Sequence, residues 1–439
     1  MIFPISPAYT IRGRIPLPGD KSISHRALML GAIAEGETRI RGLAPGEDVR
    51  STLNCLRQLG VSIQEQNGEI ILHGRGLAGL QKPAGILDAG NSGTTMRLLA
   101  GILAAQPFTT AITGDASLCR RPMRRIIEPL TQMGAGITAE QNDCAPLTIR
   151  GGKLQGIHYT LPVASAQVKS CILFAGLGAD GETIVEEHVP TRDHSERMLR
   201  KMGAHISVTS DQYSVISNQY SVTSNSISIR AGELFGNEIE VPGDFSSAAF
   251  FIAAALLLSE SELIVENVGL NPTRTAFLEI AREMGAAIES TKLKNGSHEP
   301  VADLAVRHHP LRGVSVFGKR VPLLIDEIPI LAILATQAEG ETCIRDAKEL
   351  RVKESDRIAA LAQNLRAMGA TVEELPDGLV IAGPTPLHGA EIDSYGDHRI
   401  AMAFAVAGLL ADAPTTIRGA ECADISFPGF FERLGEVCI

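Results

Sequence analysis

The chain has no excess of basic charge, no long apolar run and no paired cysteines, and each lack removes a class of protein. Lys and Arg number 40 against 50 Asp and Glu, and the formal charge of −10 argues against nucleic acid as the main partner. Basic residues gathered at one place would work against that global field and would mark a local anion site. The seven cysteines, at 55, 119, 144, 171, 343, 422 and 438, are scattered, odd in number and without a Cys-x-x-Cys pair. A reduced, cytoplasmic setting fits them better than a disulfide scaffold or a zinc site. The longest apolar run, Ala248 to Leu258, is too short to span a bilayer and is flanked by Ser246-Ser247 and Ser259-Glu260. It reads as a buried helix, and no membrane partner is expected. The opening Met-Ile-Phe-Pro-Ile-Ser-Pro has no basic segment and its prolines interrupt any apolar stretch, so no signal peptide is expected. Tryptophan is absent too, which says little.

What is present is repetition. At 439 residues, 44% hydrophobic and 21% charged, the chain can bury a sizeable core and should form two domains or more. The phrase "Leu or Met, Gly, small, small" recurs at Leu59-Gly60, Met133-Gly134, Met202-Gly203, Met284-Gly285 and Met368-Gly369, with a truncated copy at Leu434-Gly435. In each, a helix is expected to end and a strand to open, Gly taking the left-handed position just past the helix. The helices before these glycines carry one apolar stripe, as in Ile126, Ile127, Leu130 and Met133. Upstream of each stands another helix, apolar on nearly every side, at 27–34, 96–105, 168–177, 248–258, 328–338 and 400–411. A helix with no polar face must be enclosed by the rest of the fold.

The repeats fall into two sets of three. Pro18-Gly19-Asp20-Lys21-Ser22 opens the first set and Pro242-Gly243-Asp244-Phe245-Ser246 the second, which marks duplicated domains with a hinge at both copies. A chain that crosses near 18 must cross back near 241. The expected domains are therefore 18–241, and 1–17 together with 242–439. Three repeats around buried helices suit a closed, three-fold α+β arrangement better than a solenoid. The stretch 207–225, with Gln212-Tyr213-Ser214-Val215 echoed by Gln219-Tyr220-Ser221-Val222, reads as an exposed hairpin insertion.

Where each buried helix begins, the sequence turns polar: Lys21-Ser22-Ile23-Ser24-His25-Arg26, Asn91-Ser92-Gly93-Thr94-Thr95-Met96-Arg97, Ser165-Ala166-Gln167-Val168-Lys169, Asp244-Phe245-Ser246-Ser247, Asp326-Glu327 and Asp397-His398-Arg399. A lone Lys or Arg after a Pro-Gly turn is ordinarily just solvated, but core packing does not require the same switch six times. Free N–H groups and the helix dipole favour anions at such ends. If the starts converge on a cleft between the domains, that cleft would bind a multiply charged anion. Loops add Arg120-Arg121 before Pro122, Thr191-Arg192, and Lys353-Glu354-Ser355-Asp356-Arg357, where Lys353 and Arg357 should share a helical face at i,i+4.

Taken in order, the segments Pro18–Arg26, Gly90–Arg97, Gly114–Met123, Ser165–Lys169, Pro242–Ala248, Asp326–Pro329, Lys353–Arg357, Asp397–Met402 and Ser426-Phe427-Pro428 closely resemble the 5-enolpyruvylshikimate-3-phosphate synthase family over essentially the whole chain. The resemblance implies an inverse α/β barrel (α-β prism) in each of two domains, with the active site between them. It also implies transfer of the enolpyruvyl group of phosphoenolpyruvate to the 5-hydroxyl of shikimate 3-phosphate, releasing phosphate, without cofactor or metal. Carried over by motif, shikimate 3-phosphate would meet Lys21, Ser22, Arg26, Ser165, Gln167, Arg192, Asp326 and Lys353. Phosphoenolpyruvate would meet Lys21, Gly93, Arg121, Gln167, Arg357 and Arg399. Lys21, Asp326 and Glu354 would carry proton transfer, with Asp326 as base for the hydroxyl and Glu354 serving the methylene carbon. A cytoplasmic monomer is expected.

Ala166, Leu98 and Ile425 depart from one branch of that family, which has Ser, Pro and Lys there, and point to the bacterial class II branch. Gly93 is retained where an Ala in some members crowds glyphosate, so at least partial glyphosate inhibition is expected. UDP-N-acetylglucosamine enolpyruvyltransferase is the alternative, but its family pattern has Lys-Asn at the first helix, where this chain has Lys21-Ser22.

Overall fold

The computed structural model describes residues 1–212, 222–295 and 299–439. The chain divides into two compact units, Lys21–Val241 and Met1–Asp20 with Pro242–Ile439.

In the first unit one pattern occurs three times. α1 (Lys21–Ala32) leads through the strand Glu35–Arg41 to α2 (Glu47–Gln58) and a hairpin of Ser62–Gln66 with Glu69–Arg75. α3 (Gly93–Ala104), Thr109–Thr113, α4 (Arg124–Gln132) and the pair Gly136–Glu140 and Cys144–Arg150 repeat it. So do α5 (Ala166–Gly176), Glu182–Glu187, α6 (His194–Lys201) and the pair Ile206–Gln212 and Val222–Arg230. Each trio of strands gains a short fourth strand parallel to the first: Glu238–Glu240, Leu87–Asp88 and His158–Thr160 respectively. The ends of the expected hairpin insertion at 207–225 are thus ladder strands, with Ser210 opposite Asn225, while 213–221 lies outside the described residues.

α3 packs on both α1 and α5, and these helices are buried over nearly their whole length, from Ile23 to Ala32 in α1 and Val168 to Gly176 in α5. The expectation of enclosed helices holds, and the reason is the sheets wrapped around them. Strand Glu35–Arg41 buries Thr38 and Ile40 on its inner face while their neighbours face out. Each fully buried Leu, Ile or Phe contributes roughly 1.5–3 kcal/mol by leaving water. The helices approach closely at Gly101, where an added Cβ would collide with the carbonyl oxygen of Cys171; any larger residue there would push α3 off α5. The outer helices are amphipathic, and α2 also suits its own dipole, with Glu47 and Asp48 in its first turn and Arg57 in its last.

The second unit repeats the pattern with α7 (Phe245–Leu257), α8 (Ala276–Glu283), α9 (Ile328–Gln337), α10 (Arg357–Ala367), α11 (His398–Leu409) and α12 (Phe430–Val437). Its buried helices α7, α9 and α11 pack on one another. The amino-terminal segment completes two of its sheets. Arg12–Pro16 runs parallel to Glu262–Gly269, and Ile2–Ile5 pairs antiparallel with Thr415–Arg418. The segments Pro18–Asp20 and Pro242–Asp244 lie side by side, the Asp20 N–H donating to the Pro242 carbonyl at 2.8 Å and the Asp244 N–H to that of Pro18 at 2.9 Å.

Five of the expected helix-ending glycines, Gly60, Gly134, Gly203, Gly285 and Gly369, have φ between +84° and +107°. The sixth copy differs: Gly435 lies inside α12, which runs on to Val437. In that sheet it is Ile2–Ile5 that runs antiparallel to Thr415–Arg418. Lys353 and Arg357, expected at i,i+4 on one helix, do not share a helical face. Asp356 accepts the Ala359 N–H at 3.1 Å and so starts α10 at Arg357, leaving Lys353 on the preceding turn.

Candidate active site

In the unit Lys21–Val241 the starts of the three buried helices come together. α1 opens at Lys21, directly after Asp20, and the Lys21 ammonium lies 3.1 Å from Asp48 at the start of α2. Ser22 follows on the first turn, and its carbonyl accepts Arg26 Nη1–H at 2.9 Å. The rest of the Arg26 fork donates to Ser195 Oγ at 2.7 Å and Ser170 Oγ at 2.8 Å, which ties α1 to α5 and α6. Only 2% of Arg26 is exposed, so this cation is part of the floor of the region rather than its surface.

Ser92 caps α3 by accepting the Thr95 N–H at 3.0 Å, which leaves Gly93 as its first residue. A Cβ at 93 would stand 2.9 Å from Arg97 Nη1 and 3.6 Å from Arg121 Nη1. Arg121 reaches this point from the loop before α4, its Nη2 donating to Asn91 Oδ1 at 3.1 Å. Ser165 caps α5, and Gln167 bridges α5 to α3 by accepting from Arg97 at 2.7 Å and donating to Thr94 Oγ1 at 2.9 Å. Arg192 stands half-buried in the loop before α6. Gly93, Arg121 and Gln167 are therefore brought to one place, and Arg97, which the motif reading did not assign a role, joins them.

Below this surface His25 donates to or accepts from Thr52 Oγ1 at 2.7 Å, and Thr52 meets Thr95 at 2.7 Å. Burial first, then the positive charges of Lys21 and Arg26, holds the imidazole well below its usual range, so it is neutral at pH 7. Lys169, which the sequence places among the polar helix starts, is instead wholly buried between Glu187 and Glu196, at 3.0 and 2.7 Å. A lysine four residues into an otherwise apolar helix carried that signal, because an unpaired charge could not stay there.

In the second unit the centre is Arg357, 1% exposed at the first position of α10. Its Nε is 2.7 Å from Asp397, its Nη2 is 2.7 Å from Glu354, and its Nη1 is 3.4 Å from Asp326. Burial alone would lower the pKa of this guanidinium, but Asp397, Glu354 and Asp326 together raise it above its already high value. Lys353 approaches the same Asp326 oxygen at 3.9 Å. Arg399 is the second residue of α11, where its N–H is held by Asp397 at 2.9 Å. Asp326, Lys353, Glu354 and Arg357 are thus one charged group, with Arg399 joined to it through Asp397.

Sequence reasoning missed a neighbouring buried set. Arg274 bonds Ser246 Oγ, Ser246 bonds Glu327, and Glu327 lies beside Asp326 in the chain with none of its surface exposed. Ser246 sits in the repeated Pro-Gly-Asp motif and so was detectable, whereas nothing in the sequence around Arg274 marked it.

Chemically, each unit presents cations at helix starts, suited to phosphate and carboxylate groups. The second also presents two half-buried carboxylates, Asp326 and Glu354, suited to proton transfer. At the level of fold, the chain is that of the enolpyruvyl transferases: one from Streptomyces tendae matches with a TM-score of 0.77 over 99% of this chain and 97% of that one, at 17% identity. Residues 5–434 match the family model for EPSP synthase (3-phosphoshikimate 1-carboxyvinyltransferase), and the chain belongs to that family. EPSP synthase from Acinetobacter baumannii is similar in structure, with a TM-score of 0.86 and 46% identity over 100% of this chain and 98% of that one. The 3-phosphoshikimate 1-carboxyvinyltransferase of Synechococcus sp. (strain JA-3-3Ab) is 56% identical over 99% of this chain and 96% of the relative.

Proposed function

We propose that this protein transfers the enolpyruvyl group of phosphoenolpyruvate to the 5-hydroxyl of shikimate 3-phosphate and releases inorganic phosphate. The observation that supports it most directly is the pair of carboxylates on one guanidinium, Asp326 and Glu354 on Arg357, within a chain of this family. The reaction is an addition followed by an elimination. The 5-oxygen bonds to C2 of phosphoenolpyruvate as its proton passes to a base and C3 gains a proton. The intermediate then loses phosphate from C2 and a proton from C3. No electrons are exchanged with a third species, so the balance needs no redox cofactor.

Asp326 is the base for the 5-hydroxyl, and Glu354 gives the proton to C3 and takes one back on elimination, with Lys21 assisting. Ser22, Arg26, Ser165, Gln167, Arg192 and Lys353 hold shikimate 3-phosphate with Lys21 and Asp326. Gly93, Arg121, Gln167, Arg357 and Arg399 receive phosphoenolpyruvate with Lys21. Four anionic groups must be held near one another, and only cations and helix N-termini offset that repulsion. We take the protein to be a cytoplasmic monomer, to be checked by light scattering and by fractionation.

The test is phosphate release from phosphoenolpyruvate with shikimate 3-phosphate, run beside UDP-N-acetylglucosamine. Release with the first acceptor alone is expected; release only with the nucleotide sugar, or with neither, overturns the proposal. Asp326→Asn and Glu354→Gln should each lower kcat by about 10²–10⁴. Near-normal turnover in either would remove that residue from its role.

A further inference from the structure

Thr191 and Arg192 lie in the loop before α6, and that loop is tied down by a buried ion group rather than by apolar packing alone. Glu187, at the end of strand Glu182–Glu187, accepts the Thr191 N–H at 3.2 Å and its Oγ1–H at 2.8 Å on a single oxygen, Oε2. Lys169 from α5 lies 3.0 Å from that same oxygen and 3.4 Å from the Thr191 carbonyl oxygen. Glu196 on α6 closes the group at 2.7 Å from Lys169. The side chains of Lys169, Glu187 and Glu196 are 0%, 2% and 4% exposed.

Three charges withdrawn from water in one place weigh against stability unless the geometry repays them, and well-packed apolar residues of like volume would often serve the core as well. What apolar residues could not do is hold the N–H and the carbonyl of one residue together. The group fixes the N–H, hydroxyl and carbonyl of Thr191 at once, and the next residue is Arg192. One residue further along α5, Ser170 meets Ser195 on α6 at 2.6 Å, and both bond Arg26. These contacts between α5 and α6 therefore serve two cations, Arg26 directly and Arg192 through its neighbour.

We infer that Lys169 and Glu187 are positioning residues for shikimate 3-phosphate: they lock Thr191 and so aim the Arg192 guanidinium at the substrate's anionic groups. The inference rests on the substrate assignment made above. Acting only through Arg192, the clamp governs binding of that substrate and leaves the proton-transfer groups of the other unit untouched. Burial alone would lower the Lys169 pKa, but Glu196 and Glu187 together raise it, so the ammonium at the centre of the clamp stays charged across neutral pH, while burial raises the Glu196 carboxyl above its ordinary value.

The experiment uses the full chain and two variants. Thr191→Val keeps the side-chain volume and removes only the hydroxyl bond to Glu187. The triple variant Lys169→Met, Glu187→Gln, Glu196→Gln removes every charge of the clamp together, so that no buried ion is left unpaired. Steady-state kinetics and calorimetric binding of shikimate 3-phosphate without phosphoenolpyruvate are measured for each, with the melting temperature. Expected is a rise of about threefold to tenfold in both the KM and the Kd of shikimate 3-phosphate for Thr191→Val, the size of one lost hydrogen bond. The rise should be larger for the triple variant, with kcat and the phosphoenolpyruvate KM within about twofold of the parent. Unchanged shikimate 3-phosphate affinity in Thr191→Val overturns the inference, as does a fall in kcat with both KM values moving together, which would mark a structural role only. If the parent protein itself fails to bind shikimate 3-phosphate, the substrate assignment falls, and the clamp as a determinant of that substrate falls with it.

Discussion

Asp397 holds two things at once: its Oδ2 lies 2.7 Å from Arg357 Nε, and its Oδ1 accepts the Arg399 N–H at 2.9 Å. One carboxylate with no exposed surface therefore sets both the start of α11 and the plane of the Arg357 fork, whose free edge then reaches Glu354 and Asp326.

Because the fork serves three carboxylates in fixed directions, Arg357→Lys should retain charge but not geometry. We expect kcat/KM to fall by about 10²–10³, the scale of losing a preorganised donor, with little change in melting temperature. Arg357→Ala goes further, stranding Asp397 unpaired in the interior at about 3–5 kcal/mol in urea unfolding. A lysine variant with parental kcat/KM would show that orientation of the fork is unimportant.

Gly93 has no left-handed φ, so Ala is conformationally admissible there and at the first turn of a helix is favoured over Gly by up to about 1 kcal/mol. Its methyl group would press on Arg97 Nη1 at 2.9 Å, the atom's group being held at 2.7 Å by Gln167. A bulkier phosphonate ligand should suffer from that more than phosphoenolpyruvate does. The parent is expected to be inhibited by glyphosate, and Gly93→Ala to raise the inhibition constant at least about tenfold while the phosphoenolpyruvate KM rises less. Equal changes in the two constants would mean that Gly93 does not discriminate between them.

The helices and their order were legible because two periodic signals, all-apolar and one-sided, alternate along the chain and glycine ends the second kind. The sixth repeat misled because its glycine has the right neighbours yet α12 runs through it, and its sheet is completed by Ile2–Ile5; sequence distance hid that pairing. Side-chain partners were less legible than positions. Lys21, Gly93, Gln167 and Arg357 could be named from motifs, yet that Arg357 is a hub for three carboxylates depends on loops far apart in sequence. Arg274, at the other extreme, stands among ordinary loop residues and becomes a buried partner of Glu327 only through the fold.

Thiol chemistry follows from burial. Cys55 and Cys422 are buried, and loss of water around the thiol pushes them up to about 12 and about 11 respectively. At pH 8 less than about one in a thousand of either would be thiolate, which is the reactive form. Iodoacetamide on the native protein, followed by peptide mass mapping, should label the half-buried Cys119, Cys144 and Cys343 well before Cys55, Cys171 or Cys422. Labelling of Cys55 or Cys422 at the rate of Cys144 would contradict the enclosed positions described for them.

The neutral imidazole of His25 makes stability depend on pH in a definable window. Its ring is fully buried between α1 and α2, with Nδ1 on Thr52 and Nε2 without a hydrogen-bond partner among the described residues. Burial, then Lys21 and Arg26, depresses its folded pKa well below the ordinary 6.5 that the unfolded chain retains. Between those two pKa values the unfolded chain binds one proton more than the folded one. Stability is thus complete above the unfolded pKa and declines as pH falls from there toward the folded pKa, by up to about 1.4 kcal/mol per pH unit. His25→Gln cannot take up that proton and can still bond Thr52, so its unfolding free energy should change less between pH 6.5 and pH 5 than that of the parent. Urea titrations of the two proteins at half-unit steps from pH 5 to pH 8 would show curves that converge as the solution is made acid; parallel curves would mean that His25 titrates alike in both states and is not held neutral by its surroundings.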